Sequence, residues 1–471
     1  MKRLQFLLAL WAGKAFLWWY KRTGHVRNDR PGMVSMRLCG DFLKYVAKPE
    51  LTIAVTGTNG KTTVSSMIAK ILETEGKSVS YNDWGANHHA GHARCLLDAV
   101  NILNRPTKDA VVIEMDELIS PLNVPKIKPD YLIINNVARD SMLRNAHPGY
   151  IQDHLRLAAE LVPDTTVIVN ADDPLCCFLG EKNRRRIYFG MANTRTDTKP
   201  PRVDDFAVCP NCGVKPVYSY RQYRHVGEFY CPRCGLRTPD RDYFVERVDY
   251  QNMTMTVRES GGRYDYPLVS KSIYNIYDAA AVAALFRDMG MAPAALAQAF
   301  SQVTIPASRE TIQRVGGIEL ITQLAKGQNP TAVSTVFEGI SRDPHSKEIV
   351  LLLDEVFDNP RKSETVAWIY DSDYEFLNGE SVRKIIVGGE RYLDHRVRLL
   401  MAGVPAEKIV CVRDPFETPE YVDTEGMEHI YVLHDVNFIS RGHQIRDDIA
   451  QRIKQRVIRK PQTPTGTEGR I

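Results

Sequence analysis

The chain has 471 residues, 44% of them hydrophobic and 25% charged, with a net charge of +4. Those proportions belong to a globular protein of several domains and exclude a disordered, collagen-like or many-times membrane-spanning chain. The charge is too mild to imply nucleic-acid binding. Nine cysteines, four of them in two C-x-x-C pairs, fit a reduced intracellular protein with one metal site better than a secreted disulfide scaffold.

Leu4 to Tyr20 is almost wholly apolar, with Lys14 inside it and Lys2, Arg3, Lys21 and Arg22 around it. The run is at the short limit for crossing a bilayer and is followed by no small-residue cleavage site. Two readings stay open. One is a helix that buries Phe6, Leu10, Trp11 and Leu17 against the body. The other is an interfacial segment with Trp11, Trp18 and Trp19 at the membrane surface.

The β-branched run 51–56 reads as a buried strand, followed by a turn and a helical pattern over 64–75. Further strands are expected at 110–113, 131–134 and 166–169, alternating with helices, which is the pattern of a parallel sheet covered on both faces. Residues 203–270 break the alternation and read as a small β-rich insertion. A helix is expected over 277–289. A second alternating unit begins near Ile318, with strands at 349–353, 384–387, 408–412 and 429–433. The Pro-, Thr- and Gly-rich end reads as a frayed tail.

Gly57-Thr58-Asn59-Gly60-Lys61-Thr62-Thr63 follows a strand and opens a helix. Glycines let backbone N–H groups close around phosphate oxygens, and the helix N-terminus adds a favourable dipole. Lys61 would neutralise the β- and γ-phosphates, and Thr62 can ligate Mg²⁺. With no nucleotide bound, Lys61 is expected to be solvated.

Cys209-x₂-Cys212-x₁₈-Cys231-x₂-Cys234 has zinc-ribbon spacing, each pair inside a C-P-x-C-G knuckle. Four thiolates suit tetrahedral Zn²⁺, and a structural role suits so small a segment.

T-G-T-N-G-K-T-T lacks the first glycine of the longer phosphate loop and resembles the Mur ligase family of cell-wall ligases. Val112–Glu117 resembles the strand whose glutamate, here Glu114, binds Mg²⁺ in that family. Asn170-Ala171-Asp172-Asp173-Pro174 matches its N-A-D-D-P, so Asn170 and Asp173 are implied near the nucleotide. Tyr274–Asp278 resembles its N-x-Y-N, implying a role for Asn275, with Asp278 where asparagine is usual.

The zinc ribbon narrows the resemblance to the branch of the family that amidates lipid II as the ligase subunit of a two-protein complex. Gly85-Ala86-Asn87, Asn136–Asp140, Ser308-Arg309-Glu310 and Trp368–Glu375 resemble segments of that branch. Several positions depart from it: Gln328, Asp354-Glu355-Val356, Thr365 and His434-Asp435-Val436. The ATP half is better kept than the C-terminal half.

The resemblance implies an α/β protein: an N-terminal amphipathic segment (1–45), a central P-loop ATPase domain (46–305) with an inserted Cys₄ zinc ribbon (203–245), a Rossmann-like C-terminal domain (306–458) and a flexible tail (459–471). It implies ATP, Mg²⁺ and Zn²⁺, a GatD-type glutaminase partner, a lipid-linked peptidoglycan precursor as acceptor, and a cytoplasmic location with contact to the inner membrane face. Glu114, Arg309 and Asp371 are the implied catalytic residues, Asp371 supporting the partner's Cys–His pair with Asp354 as runner-up. A Mur-type ligase of another carboxylate and amine, or a non-catalytic ATP-binding scaffold, is the alternative. Lys61, Thr62 and Glu114 argue against the scaffold.

Overall fold

The computed structural model describes residues 2–24, 28–82, 86–140, 147–194, 201–304, 310–353, 366–423 and 425–459. Arg309, Asp354 and the tail from 460 onward lie outside the described residues. The chain forms two compact units, one from residues 1–139 and 147–305, the other chiefly from residues beyond 305.

The first unit is built on strands β1 (Leu51–Thr56), β2 (Val79–Tyr81), β3 (Ala110–Glu114), β4 (Tyr131–Ile134), β5 (Thr166–Asn170), β6 (Arg186–Met191), β7 (Val217–Tyr223), β8 (Val226–Tyr230), β9 (Tyr243–Asp249), β10 (Thr254–Glu259) and β11 (Gly262–Pro267). Nine of them form one sheet in the order β11-β10-β9-β6-β5-β4-β1-β3-β2. Pairing is parallel from β2 through to β9 and antiparallel in the β9–β10–β11 meander.

Alternate side chains of the central strands feed two separate cores. Ala54, Ile113, Leu132 and Val169 enter one; Ile53, Val55, Val112, Ile133 and Ile168 enter the other. Burial on both faces is why these strands read as continuous apolar runs. The 203–270 stretch divides: only the β7–β8 hairpin stands apart from the main sheet, while β9 to β11 extend it. The Gly- and Asp-containing turns that break the helical pattern there are sheet turns.

The helix Lys2–Arg22 packs on this unit, burying Phe6, Ala9, Leu10, Gly13, Leu17 and Tyr20. Gly13 makes the close approach possible, since a Cβ there would lie 2.1 Å from Ser35 Oγ. Trp11, expected inside on the packed reading, is 47% exposed, because its indole N–H reaches out to the Ile102 carbonyl at 2.9 Å.

The second unit carries β12 (Glu310–Val315), β13 (Ile318–Leu324), β14 (Lys347–Leu352), β15 (Val382–Gly388), β16 (Ile409–Val412) and β17 (His429–His434), in the order β12-β13-β17-β14-β15-β16. Only β12–β13 is antiparallel. The strand order reverses within this sheet as it does around β1, the topology of α/β folds that bind ligands beyond the carboxyl ends of their strands.

Candidate active site

The carboxyl end of β1 turns through Gly57, Thr58, Asn59 and Gly60 into the helix Lys61–Thr74. Gly57 has φ +117° and Gly60 φ +84°. A Cβ on Gly57 would sit 2.8 Å from the Asn136 carbonyl, and one on Gly60 would sit 2.2 Å from Asp278 Oδ1. No larger residue fits either place. Thr58 N–H donates to the Asn136 carbonyl (3.0 Å) and Asn59 N–H to Asn136 Oδ1 (2.9 Å). These two donors therefore brace the loop against the 135–138 segment. The N-terminal amides of the helix from Lys61 to Thr63 precede its first i→i−4 bond, from Val64 to Gly60, and form its anion-attracting end. Thr62 is exposed there and Thr63 half-buried.

Lys61 is not solvated. Its ammonium donates to the Gly57 carbonyl at 2.6 Å, to the Thr58 carbonyl at 3.2 Å and to Glu117 Oε1 at 2.6 Å. The side chains are 12% and 1% exposed. Burial of Glu117 demands a cation, and the lysine meets that demand by folding back on its own loop.

Glu114 ends β3, beside Val55 in the register, and its side chain is buried. Its backbone is fixed from two sides. Asn82 accepts from its N–H (2.8 Å) and donates to its carbonyl (3.0 Å). His92 Nε2 also lies 3.0 Å from that carbonyl, with Asn123 Nδ2 2.7 Å from Nδ1. Donation from Asn123 makes Nδ1 the acceptor, so Nε2 carries the proton. Burial pushes the His92 pKa down to about 3, so the ring is neutral.

Asp173 accepts from Val137 N–H at 2.7 Å and from Leu175 N–H at 2.9 Å, and so holds the segment that braces the phosphate loop. Asp172 accepts from Met191 N–H (2.7 Å), Tyr277 O–H (2.8 Å) and Arg241 (2.7 and 2.9 Å). Burial raises its pKa despite Arg241. Asn170 is buried and caps Asp172 N–H at 3.0 Å. Asn275 lies half-buried on the helix Ile273–Asp288. One turn on, Asp278 Oδ1 accepts from Asn135 Nδ2 at 2.5 Å, and Asn135 Nδ2 also donates to the Asn59 carbonyl at 3.1 Å. Asn135 Oδ1 and Asn170 Nδ2 are buried with no hydrogen-bond partner among the described residues. Such unmet polar capacity beside a glycine turn and a helix start fits a nucleotide cradle.

The four ribbon thiols come together: Cys209 and Cys234 Sγ are 3.5 Å apart, Cys212 and Cys231 Sγ 3.3 Å, and all four lie within 4.8 Å of one another. The knuckles match: Gly213 and Gly235 take φ +72° and +75°, and their N–H groups return to the Cys209 and Cys231 carbonyls at 2.9 and 3.0 Å. This convergence fits one tetrahedral zinc. The β7–β8 hairpin between the pairs reaches the nucleotide segment. His225 Nε2 lies 3.0 Å from the Val137 carbonyl and 3.3 Å from Asp173. Burial lowers the His225 pKa, but Asp173 and Asp205 outweigh it and the net shift is upward.

In the second unit Asp371 ends the short helix Ala367–Asp371 and is half-buried. The segment around it is clamped. Arg398 donates to the Ser372 carbonyl (2.8 Å) and to Glu375 (2.7 Å). His395 lies 2.6 Å from Tyr374 Oη and 3.1 Å from the Leu353 carbonyl. At the departure from the family pattern, Asn329 caps the helix Pro330–Arg342 by accepting from Ala332 N–H at 2.8 Å. The Asn-Pro pair thus works as cap and first turn.

Glu117, Asn135 and Asp278 are the site residues that the sequence reading left without roles. Each acts through a partner distant in sequence. Only Asp278, an acid where the family has an amide, carried a signal.

Residues 55–209 match the Mur ligase middle domain and residues 326–437 the MurT ligase C-terminal domain. With a phosphate loop, a strand-end glutamate and this topology, the chain is similar to the Mur ligase family across both of those domains. Along most of its length it is similar to MurT. It is 28% identical to the "Lipid II isoglutaminyl synthase (glutamine-hydrolyzing) subunit MurT" of Streptococcus pneumoniae, over 91% of this chain and 94% of that one. It is 26% identical to the same subunit of Staphylococcus aureus, over 86% and 90%. A pseudomurein peptide ligase type C from Methanothermus fervidus shares the fold, with TM-score 0.65 and 20% identity over 87% of this chain and 81% of that one. MurF ligase from Thermotoga maritima in complex with ADP does so with TM-score 0.57 and 15% identity over 90% and 85%.

Proposed function

We propose that this chain is the ATP-dependent ligase subunit of an amidating complex that acts on lipid II. The acceptor is the α-carboxylate of D-glutamate in the stem peptide, and a GatD-type glutaminase supplies ammonia. The observation that carries this reading is the near full-length likeness to MurT, joined to a glycine-turn cradle that ends at Lys61. The carboxylate oxygen attacks the γ-phosphoryl group and ADP leaves; ammonia then attacks the acyl carbon and phosphate leaves.

Phosphoryl transfer needs positioning and charge neutralisation. In this reading Lys61 exchanges Glu117 for the β- and γ-phosphates, and the helix-start amides and Thr58–Thr63 surround them. Thr62 and Glu114 hold Mg²⁺, which when bound neutralises phosphate charge. Asn170, Asp173 and Asn275 line or brace the nucleotide, and Arg309 stabilises the transferred group. Asp371 orients the partner's Cys–His pair. Cys209, Cys212, Cys231 and Cys234 hold a structural zinc. The test is co-purification with a glutaminase encoded nearby, followed by glutamine-dependent amidation of lipid II. ATP turnover that no lipid II or glutamine stimulates would sink the reading. The altered 328 and 365 positions favour one second reading, a Mur-type ligase of another carboxylate.

A further inference from the structure

The helix Lys2–Arg22 is apolar on two faces, and the body of the protein covers one. Leu4, Leu8, Trp11, Trp18 and Trp19 are 47–63% exposed. At 3.6 residues per turn these five and the exposed Ala15 fall within one arc of about 100°. No charged side chain falls inside it between Leu4 and Trp19. A helix packed on a globular body ordinarily turns charge outward here.

The patch does not stop at the helix. Trp11 donates to the carbonyl of Ile102, and Ile102 and Leu103 are 61% and 64% exposed. Gln5 donates to the carbonyl of Leu38 at 2.8 Å, and Leu38 is itself exposed. Three segments distant in sequence therefore place exposed apolar side chains near one another, more than scattered single side chains would. Its rim is mainly basic: Lys2, Arg3, Arg22, and Lys21, which pairs with Asp98 at 2.8 Å, with the Arg22 guanidinium 4.4 Å above the Trp18 ring. The first forty residues hold eight lysines and arginines and one acid, Asp29.

We propose that this surface docks the protein on an anionic lipid bilayer. The helix lies in the plane of the headgroups, with Trp11, Trp18, Trp19, Ile102 and Leu103 entering them. Tryptophans suit that boundary, and the basic rim complements acidic headgroups. No helix among the described residues is long and apolar enough to cross a membrane, so the contact is peripheral. The use of the surface rests on the lipid-linked acceptor proposed above; the binding is measured without it.

The full chain is sedimented with vesicles of equimolar phosphatidylglycerol and phosphatidylcholine, and with phosphatidylcholine alone, at low and high salt. Trp18→Gln/Trp19→Gln/Leu103→Gln is compared, with thermal melts to show that the fold holds. The expected result is binding to the anionic vesicles that falls about tenfold or more at high salt and in the triple variant, with tryptophan quenching by brominated lipid. Failure of the full chain to bind at low salt, or equal binding by the variant, overturns the proposal. So does a wild-type dimer that the variant converts to monomer, which would make the face a protein interface. ATP turnover is measured in parallel with a short-tailed, water-soluble acceptor. Lost vesicle binding with turnover intact overturns the docking surface alone; absent turnover with vesicle binding intact overturns the functional reading alone.

Discussion

Lys61 has two obligations, to the phosphate loop and to the buried carboxylate of Glu117. Lys61→Ala is therefore expected to abolish ATP turnover and also to destabilise the first unit by about 3–5 kcal/mol, because buried Glu117 loses its lysine. Lys61→Met with Glu117→Gln should recover most of the stability and none of the turnover. Denaturant melts and phosphate release on both variants separate the roles; turnover retained by either removes Lys61 from the chemistry. Asp278 lies against the same loop. Asp278→Asn keeps an oxygen for Asn135 and removes a negative charge near the phosphate site. Nucleotide affinity should rise between about three- and tenfold, read by titration calorimetry. Unchanged affinity would place that carboxylate outside the phosphate field. Neither residue's role can be read from local sequence: Glu117 sits inside a segment valued for Glu114, and its partner is 56 positions away.

At the scale of elements, the long apolar strands were legible because parallel strands buried on both faces leave continuous hydrophobic runs. β1 and β4 fall where expected, and the others within a few residues. β2, only Val79–Tyr81, is too short to show a pattern, and β6 mixes Arg186, Tyr188 and Gly190 into its run. The N-terminal segment was ambiguous because its composition satisfies both a packed face and an exposed one. Only the neighbouring helices decide which side chains are covered. Deleting residues 1–22 uncovers the sites of Phe6, Leu10 and Leu17, each worth about 1.5–3 kcal/mol, so a large fall in melting temperature is expected. A truncated form that melts with the full chain would show the helix to be dispensable. The ribbon should carry about one zinc per chain, measured by elemental mass spectrometry after purification without chelators. Metal-free, fully folded protein would rule that out.

Each of the two units holds a buried group, and these two groups respond oppositely to acid. In the first, His92 has its pKa pushed down to about 3 by burial, below the value near 6.5 of an unfolded chain. The unfolded state binds the extra proton between those values, so stability contributed by neutral His92 is lost as pH falls through that window, by about 1.4 kcal/mol per unit. In the second, burial raises the Glu348 pKa to about 7 against the pull of Lys384. There the folded state holds the extra proton, and stability is lost as pH rises from about 4.5 to 7. Hydrogen exchange at pH 5 and pH 7.5 should therefore show His92→Gln losing less protection than the parent around β3 as pH falls, and Glu348→Gln losing less around β14 as pH rises. Unchanged pH dependence in either variant would show that other groups dominate there.

The ribbon hairpin places His225 against Asp173 and Val137, Gly227 N–H on the Asp172 carbonyl at 2.8 Å, and Glu228 on Arg241 at 2.8 Å. An engineer who trims the chain by splicing residue 194 to residue 243 would remove more than a metal-binding ornament. Asp172 would lose Arg241 and Asp173 would lose His225, leaving the two buried side chains with neutral donors alone: Met191 N–H and Tyr277 O–H for one, Val137 N–H and Leu175 N–H for the other. The ribbon behaves as a keystone: inserted midway along the chain, yet carrying thrust from the arch on either side. Excision should yield insoluble protein, whereas an Asp172→Asn/Asp173→Asn background should tolerate the cut better.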